Sequence, residues 1–257
     1  MRTLPKRLLI PGSILGAIFL WQVVVSWGDF PAFILPSPYQ VAERLVQVLM
    51  DGSLARHTLV TLGEVVSGLV IGLGTAVVLG YWLAKLHWLE KILSPYIVAC
   101  QSVPVVAIAP LLIIWLGPGV LSKILITALI VFFPILVNVI VGVRAVSDDL
   151  YDLMASFQAT RWQILRYLEI PAAMPVFLGG LRIGATLAVI GAVVGEFVGA
   201  DRGLGFMVNV GRGMYDTALV FLAVFTLVTM AMGIYALVSV AEKRLLAWQR
   251  RPGDGRL

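Results

Sequence analysis

The chain has 257 residues, 60% hydrophobic and only 13% charged, with a mean hydropathy of +0.98, against roughly 45–50% apolar and 25% charged in a soluble domain. That balance excludes disorder and a water-covered globule, and a lone Cys100 excludes an internal disulfide scaffold. The net charge of +5 points to membrane topology rather than nucleic acid, because the basic residues flank apolar runs instead of sharing one face.

A helix crossing about 30 Å of hydrocarbon needs around 20 apolar residues. Six runs come near or above that length: Leu8 to Trp27, Thr58 to Ala84, Ile92 to Leu116, Val120 to Val143, Val176 to Val198 and Ala218 to Val240. The alternating short runs of an outer-membrane barrel are absent, so helices must satisfy the backbone in lipid. The expected fold is an all-α, polytopic membrane helical bundle with six transmembrane helices, residues 1–257 forming a single transmembrane domain. The first run follows Arg2, Lys6 and Arg7 but exceeds the apolar part of a cleavable signal and has no small-x-small site after it, so it reads as a retained anchor.

Six crossings put both termini on one side. The loop cations on that side include Lys85, Lys91, Arg144, Arg161, Arg166, Lys243 and Arg244 with those of the two termini, against Arg44, Arg56, Lys123, Arg202 and Arg212 on the other. The excess of Lys and Arg places both termini in the cytoplasm. Between the first two runs, Ser37 caps a helix with Pro38 at its first position, and Val41, Leu45, Val48 and Leu49 share one face before Gly52. This outer amphipathic helix serves either as a connector or as a docking element.

Within the spans, Gly180, Gly184, Gly191, Gly195 and Gly199 recur at small-residue spacing, as do Gly68 and Gly72. They either pack helices of one chain or place the fifth span against its copy at a dimer seam. Pro95, Pro104, Pro110 and Pro134 predict kinks in the third and fourth spans, as ordinary architecture or as a moving wall. Ionisable residues inside spans usually face a bundle interior or water. Here they are Glu64, Arg182 and Glu196, with Gln101 and Asn138 as uncharged company. Gln101, Asn138 and Glu196 are the candidates for a translocation pathway. For Glu196, snorkelling or a bond to Arg202 is the structural alternative, and Arg182 reads as an anchor. No catalytic constellation and no metal-ligand cluster emerges.

The long segment from Ser147 to Pro171 is the most informative. Leu150, Leu153, Met154 and Phe157 form one apolar stripe, and Asp148, Asp149 and Asp152 complement the start of a short helix. Thr160 with Gln163 forms a capping box, so a second helix starts there and should end by Pro171. Such a knob lies on the bilayer, on its own bundle, or in a groove of a soluble partner.

This segment resembles the EAA loop of permease subunits of bacterial ATP-binding-cassette importers, whose pattern is Glu-Ala-Ala, three residues, Gly, nine residues, Ile-x-Leu-Pro. Aligned on Pro171, the Glu-Ala-Ala positions are Asp152, Leu153 and Met154, and the Gly position is Gln158. The Ile-x-Leu-Pro positions are Leu168, Glu169, Ile170 and Pro171. The spacing is kept while several identities differ. Because Gln158 replaces the bend-forming Gly, an ordinary backbone bend or one displaced toward Thr160 is expected. The run Ala159-Thr160-Arg161-Trp162-Gln163 is similar to the family's Ala-Ser-Arg-Trp-Gln. Leu35-Pro36-Ser37-Pro38, Ala109-Pro110-Leu111, Phe132-Phe133-Pro134 and Gly195-Glu196-Phe197 before Gly203-Leu204-Gly205 extend the likeness to the nitrate, sulfonate and taurine branch.

The resemblance implies a non-catalytic permease subunit of the bacterial inner membrane, pairing as a homodimer and working by alternating access. Its cytoplasmic coupling loop, residues 148–170, would dock two ATPase subunits through Asp152, Leu153, Met154, Phe157, Gln158, Ala159, Thr160, Arg161, Trp162 and Gln163. An extracytoplasmic binding protein would deliver the solute, and membrane lipid would surround the spans. ATP and Mg would be used by the partner ATPase, with no cofactor on this chain, which lacks a Gly-x-x-x-x-Gly-Lys-Ser/Thr loop. The implied solute is a sulfonate, taurine, nitrate or a vitamin-type heterocycle such as riboflavin or a pyrimidine precursor; residues 189–199 look more like the heterocycle carriers. A self-sufficient secondary carrier or channel is the alternative, though no inverted repeat is evident between the two halves.

Overall fold

A computed structural model describes residues 6–249, and among them it contains helices and no strand. The helices in chain order are α1 (Lys6–Gly28), α2 (Pro38–Met50), α3 (Ser53–Lys85), α4 (His87–Ser102), α5 (Val105–Leu116), α6 (Val120–Arg144), α7 (Asp148–Ser156), α8 (Arg161–Ile164), α9 (Ile170–Gly199), α10 (Leu204–Gly213) and α11 (Thr217–Leu245). A π-helical turn, Leu165–Glu169, joins α8 to α9. The basic residues Arg2, Arg250, Arg251 and Arg256, part of the topology count, lie outside the described residues. The described chain divides into two compact units, residues 6–60 with 202–227 and residues 61–201 with 228–249.

In the first unit, Ser37 and Gln40 form a reciprocal cap. The Ser37 Oγ accepts from the Gln40 N–H at 3.2 Å, and the Ser37 N–H donates to Gln40 Oε1 at 2.8 Å. Val41 and Val48 are buried on the expected face of α2 and Leu45 is half-buried, whereas Leu49 points outward, 54% exposed. Leu49 follows Val48 by one residue, or about 100° around a helix, which carries it off a narrow stripe. The Asp51 carboxylate accepts from both the N–H and the Oγ of Ser53, and these bonds hold its pKa below the ordinary value. Trp21 of α1 stacks on Phe221 of α11 with ring centroids 5.4 Å apart. α10 was not foreseen from composition, yet Leu204, Met207 and Gly211, at i, i+3 and i+7, are its buried face.

In the second unit the glycines set the architecture. A Cβ at Gly68 would meet the Thr127 side chain, at Gly72 the Ala128 carbonyl oxygen, and at Gly80 Val139. Rising numbers on α3 meet rising numbers on α6, so the two helices run parallel. Gly180 meets Asn138, Gly184 meets Ile135, Gly191 meets Thr127 and Gly195 meets Lys123; α9 is therefore antiparallel to α6. The stripe on α9 is filled by this chain's own α6, and Gly199 by Ile113 and Pro118, so it is not a seam with a second copy. Close approach replaces hydrophobic driving force in lipid, where small residues let backbones touch.

The third span differs from the expected single helix. α4 and α5 are bent by 91° at Val103–Pro104. Pro104 lacks the N–H that would continue α4, and Val103, as the preceding residue, is extended with ψ 120°. Five helices are long and apolar enough to cross a membrane, or six if this bent pair counts as one span. The parallel run of α3 and α6 decides the count: the chain must return across the bundle between them, and α4 with α5 is what lies between. Pro95, Pro110 and Pro134 stay inside helices.

At the far end of α3, Arg144 donates to the Leu83 and Ala84 carbonyls at 3.3 and 3.4 Å and pairs with Glu90 at 2.6 Å. This cation satisfies carbonyls that the end of a helix leaves open. Arg182 pairs with Glu242 and stands 5.6 Å from the Tyr235 ring centroid, as an anchor would.

Candidate functional site

The segment from Ser147 to Pro171 folds into a helical elbow. α7 carries Asp148 and Asp149 in its first turn and has no buried residue. Its apolar stripe stands in the open: Leu150 and Leu153 are 41% and 51% exposed, Phe157 is 76% exposed, and Met154 is half-buried. Asp152 is exposed on the same helix and Ala159 is half-buried after it. The bend falls at Gln158 itself, with φ +52°. It is thus neither an ordinary bend nor a displaced one: a glutamine takes the left-handed conformation that glycine occupies without strain. Gln158→Gly is expected to relieve this strain by about 1 kcal/mol, read as roughly fivefold slower amide exchange across the elbow. Unchanged exchange would mean that the bend costs nothing.

The second arm starts on the predicted box. The Thr160 N–H donates to Gln163 Oε1 at 2.7 Å, and the Gln163 N–H donates to Thr160 Oγ1 at 3.3 Å. Arg161 is exposed, and Trp162 and Tyr167 are 65% and 67% exposed. Contrary to the expected stop at Pro171, the helix continues. The Ile170 N–H bonds the Leu165 carbonyl, five residues back, and this widened turn makes room for a proline ring that would collide with the carbonyl four residues back. The resulting helical run, Arg161–Gly199, is 39 residues long, about 58 Å at 1.5 Å per residue. That is nearly twice the hydrocarbon thickness, so the elbow arm extends a membrane span without interruption.

Sequence reasoning passed over Glu169, the x of Ile-x-Leu-Pro. It is 3% exposed and ion-paired with Lys85 from the end of α3. It also accepts from Tyr81 Oη at 3.1 Å and Tyr151 Oη at 3.3 Å, while Lys85 Nζ donates to Tyr151 Oη at 3.2 Å. Burial pushes the Tyr151 phenol above its ordinary pKa, so it stays a neutral donor. Beside this cluster lies an apolar cavity of about 420 Å³ between α3, α6 and the start of α9. The only sequence signal was a carboxylate at a position followed at once by an apolar span.

The intramembrane polar residues form a second cluster. Thr61 Oγ1 donates to Glu196 Oε1 at 2.6 Å, and Lys123 Nζ lies 3.5 Å from Glu64 Oε1. Thr61 and Glu196 are fully buried, and Glu64 and Lys123 are 1% and 2% exposed. Lys123, counted above as a loop cation, is inside the bundle on α6. Asn138 donates to the Pro134 carbonyl at 2.8 Å and packs on Gly180, whereas Gln101 is exposed on α4. From Gly180 to Glu196 along α9 is about 24 Å, so Asn138 and Glu196 do not share one small solute site. Among the described residues no group of three or more His, Cys, Asp or Glu is placed to hold a metal ion.

Comparisons with known proteins match the stretch of chain that contains these helices. Residues 76–247, well over half of the chain and including the whole elbow, match the family described as binding-protein-dependent transport system inner membrane component. The chain belongs to that family. It is 45% identical over 240 residues to the riboflavin transport system permease protein of Chloroflexus aurantiacus, covering 93% of this chain and 90% of the relative. It is 35% identical to the formylaminopyrimidine transport permease protein of Halalkalibacterium halodurans, with 90% and 92% covered, and 29% identical to the taurine transport system permease protein of Escherichia coli, with 92% and 88% covered. The chain is therefore an ABC-importer permease subunit, multi-pass in the bacterial inner membrane and itself non-catalytic.

Proposed function

We propose that residues 1–257 act as one transmembrane permease domain that pairs with a second copy and docks two ATPase subunits on the elbow, residues 148–170. Both termini and the elbow face the cytoplasm. A binding protein outside presents the solute, and ATP with Mg, held by the ATPases, drives alternating access. Moving such a switch from 1:99 to 99:1 requires about 5.5 kcal/mol of differential binding. The observation that carries the reading is the exposed stripe of Leu150 and Leu153 on a helix with no buried residue, continued by the exposed Phe157 at its C-cap, an apolar ridge shaped for a groove on a soluble partner.

The docking set is Asp152, Leu153, Met154, Phe157, Gln158, Ala159, Thr160, Arg161, Trp162 and Gln163, with Gln158 and the Thr160–Gln163 box setting the angle between the arms. Leu153→Asp and Phe157→Asp are each expected to abolish co-purification of the ATPase while the membrane domain stays folded. Retention of the ATPase by both variants would count against the elbow as the grip. Permease alone in liposomes is expected to move no solute; transport without the ATPase would favour a self-sufficient carrier.

If the pathway runs between two copies, its lining is exposed in the single chain. Gln101 meets that condition on the bent α4–α5 pair, Asn138 meets it in part, and Glu196 does not. We assign the solute to the heterocycle class, supported by higher identity to the riboflavin and formylaminopyrimidine relatives than to the taurine one. Binding of riboflavin and of taurine to the partner binding protein separates the two classes.

A further inference from the structure

We propose that Glu169 is the positioning residue through which movement of the elbow reaches α3, with the π-helical turn as its hinge. The inference rests on the docking role proposed for residues 148–170. Three elements converge on this carboxylate: Lys85 and Tyr81 from α3, Tyr151 from α7, and the turn that carries Glu169 itself. Since α7 has no buried residue, a push on it must travel through its neighbours, and Tyr151 is the side chain that reaches inward. The Tyr151 hydroxyl bonds both Lys85 and Glu169, and the Lys85 ammonium stands 4.8 Å from the Tyr151 ring centroid. A displaced Tyr151 therefore shifts both members of an ion pair whose carboxylate is buried and whose lysine, one third exposed, is fixed to α3.

Hinge and room to move lie side by side. A single π-helical turn inside a long helix has poorer hydrogen-bond economy than the α-helix on either side, and such turns recur where helices do work. The cavity of about 420 Å³ opens against Glu169, Tyr81, Val139, Val143 and Phe177. A well-packed interior resists continuous deformation, but a turn beside open volume does not have to displace its neighbours to shift. The cluster fixes α7 to α3, while the start of α9 stays packed on α6 where Ala173 meets Gly142, so the shift is taken up in the turn beside the cavity.

The test uses the assembled importer, with permease, ATPase and binding protein in liposomes. Solute uptake and ATP hydrolysis are measured together, and ATPase retention is measured on the same sample. Glu169→Gln is expected to retain the ATPase and its hydrolysis while solute moved per ATP falls about tenfold, within the range a residue on a coupling network commands. Tyr151→Phe removes only the hydroxyl bonds and is expected to give a smaller fall in the same ratio. Exchanging the charges, Lys85→Glu with Glu169→Lys, is expected to recover part of it. A folded Glu169→Gln or Tyr151→Phe complex with the wild-type ratio overturns the proposal. So does loss of the ATPase together with uptake in Glu169→Gln, which would make the residue merely structural. If the wild-type permease itself retains no ATPase, the docking reading fails first and the inference with it; a retained ATPase with an unaltered ratio sinks the inference alone.

Discussion

Lys123→Met is expected to destabilise the membrane domain by about 3–5 kcal/mol, the cost of breaking a buried pair from one side. Lys123 is 2% exposed, and its ammonium is the cation beside Glu64, which is 1% exposed, in a cluster that also holds the buried Glu196 and Thr61. Methionine keeps most of the side-chain volume, so packing against Gly195 is preserved and the change is electrostatic. The Glu64 carboxylate then faces a low-dielectric interior without the ammonium that pairs with it, which bundles rarely tolerate. At about 2–4 °C per kcal/mol for a chain of this size, the melting temperature in detergent should fall by roughly 10 °C. Glu64→Gln with Lys123→Met, which removes both partners, should recover most of that loss. A single variant that melts with the wild type would show that the pair contributes nothing to the fold.

The same residue marks where sequence reasoning runs out. Hydropathy located the six crossings because spans are defined by composition over some 20 residues, which tertiary contacts barely alter. It could not say that Lys123, at the edge of an apolar run, turns inward, since the partner carboxylate lies on a helix far away in sequence. The caps at Ser37 and Thr160 were legible because capping is decided within three residues. Gln158 was misread because propensity argues against a left-handed glutamine, although the Gln158 N–H bond to the Ala155 carbonyl and the Ala159 N–H bond to the Met154 carbonyl close the end of α7 around that conformation. Glu169 was invisible because its meaning lies in Lys85, Tyr81 and Tyr151, brought together only by the packing of α3 against the elbow. Pro171 looked like a stop signal. The π turn that lets the helix pass through it is a local solution that periodicity does not encode.

Gly191→Ala is expected to cost about 1–3 kcal/mol although alanine is the better helix former, whereas Gly179→Ala on the same helix should be neutral or stabilising by up to about 1 kcal/mol. The contrast is geometric. A Cβ at Gly191 would lie 2.7 Å from Thr127 Cα, a backbone atom that no rotamer change moves aside, while a Cβ at Gly179 meets nothing within 4 Å. Thr127 has no slack to give. On its other side its Cβ would stand 2.4 Å from a methyl at Gly68, and its hydroxyl is bonded to the Lys123 carbonyl at 2.9 Å. One methyl at Gly191 must therefore push α9 off α6, or α6 into α3, and either movement disturbs the Lys123–Glu64 pair one turn away. Melting of the two variants in the same detergent decides the matter. A neutral Gly191→Ala would mean that α3, α6 and α9 do not meet at Thr127, and that the glycine spacing on α9 serves a surface outside this chain.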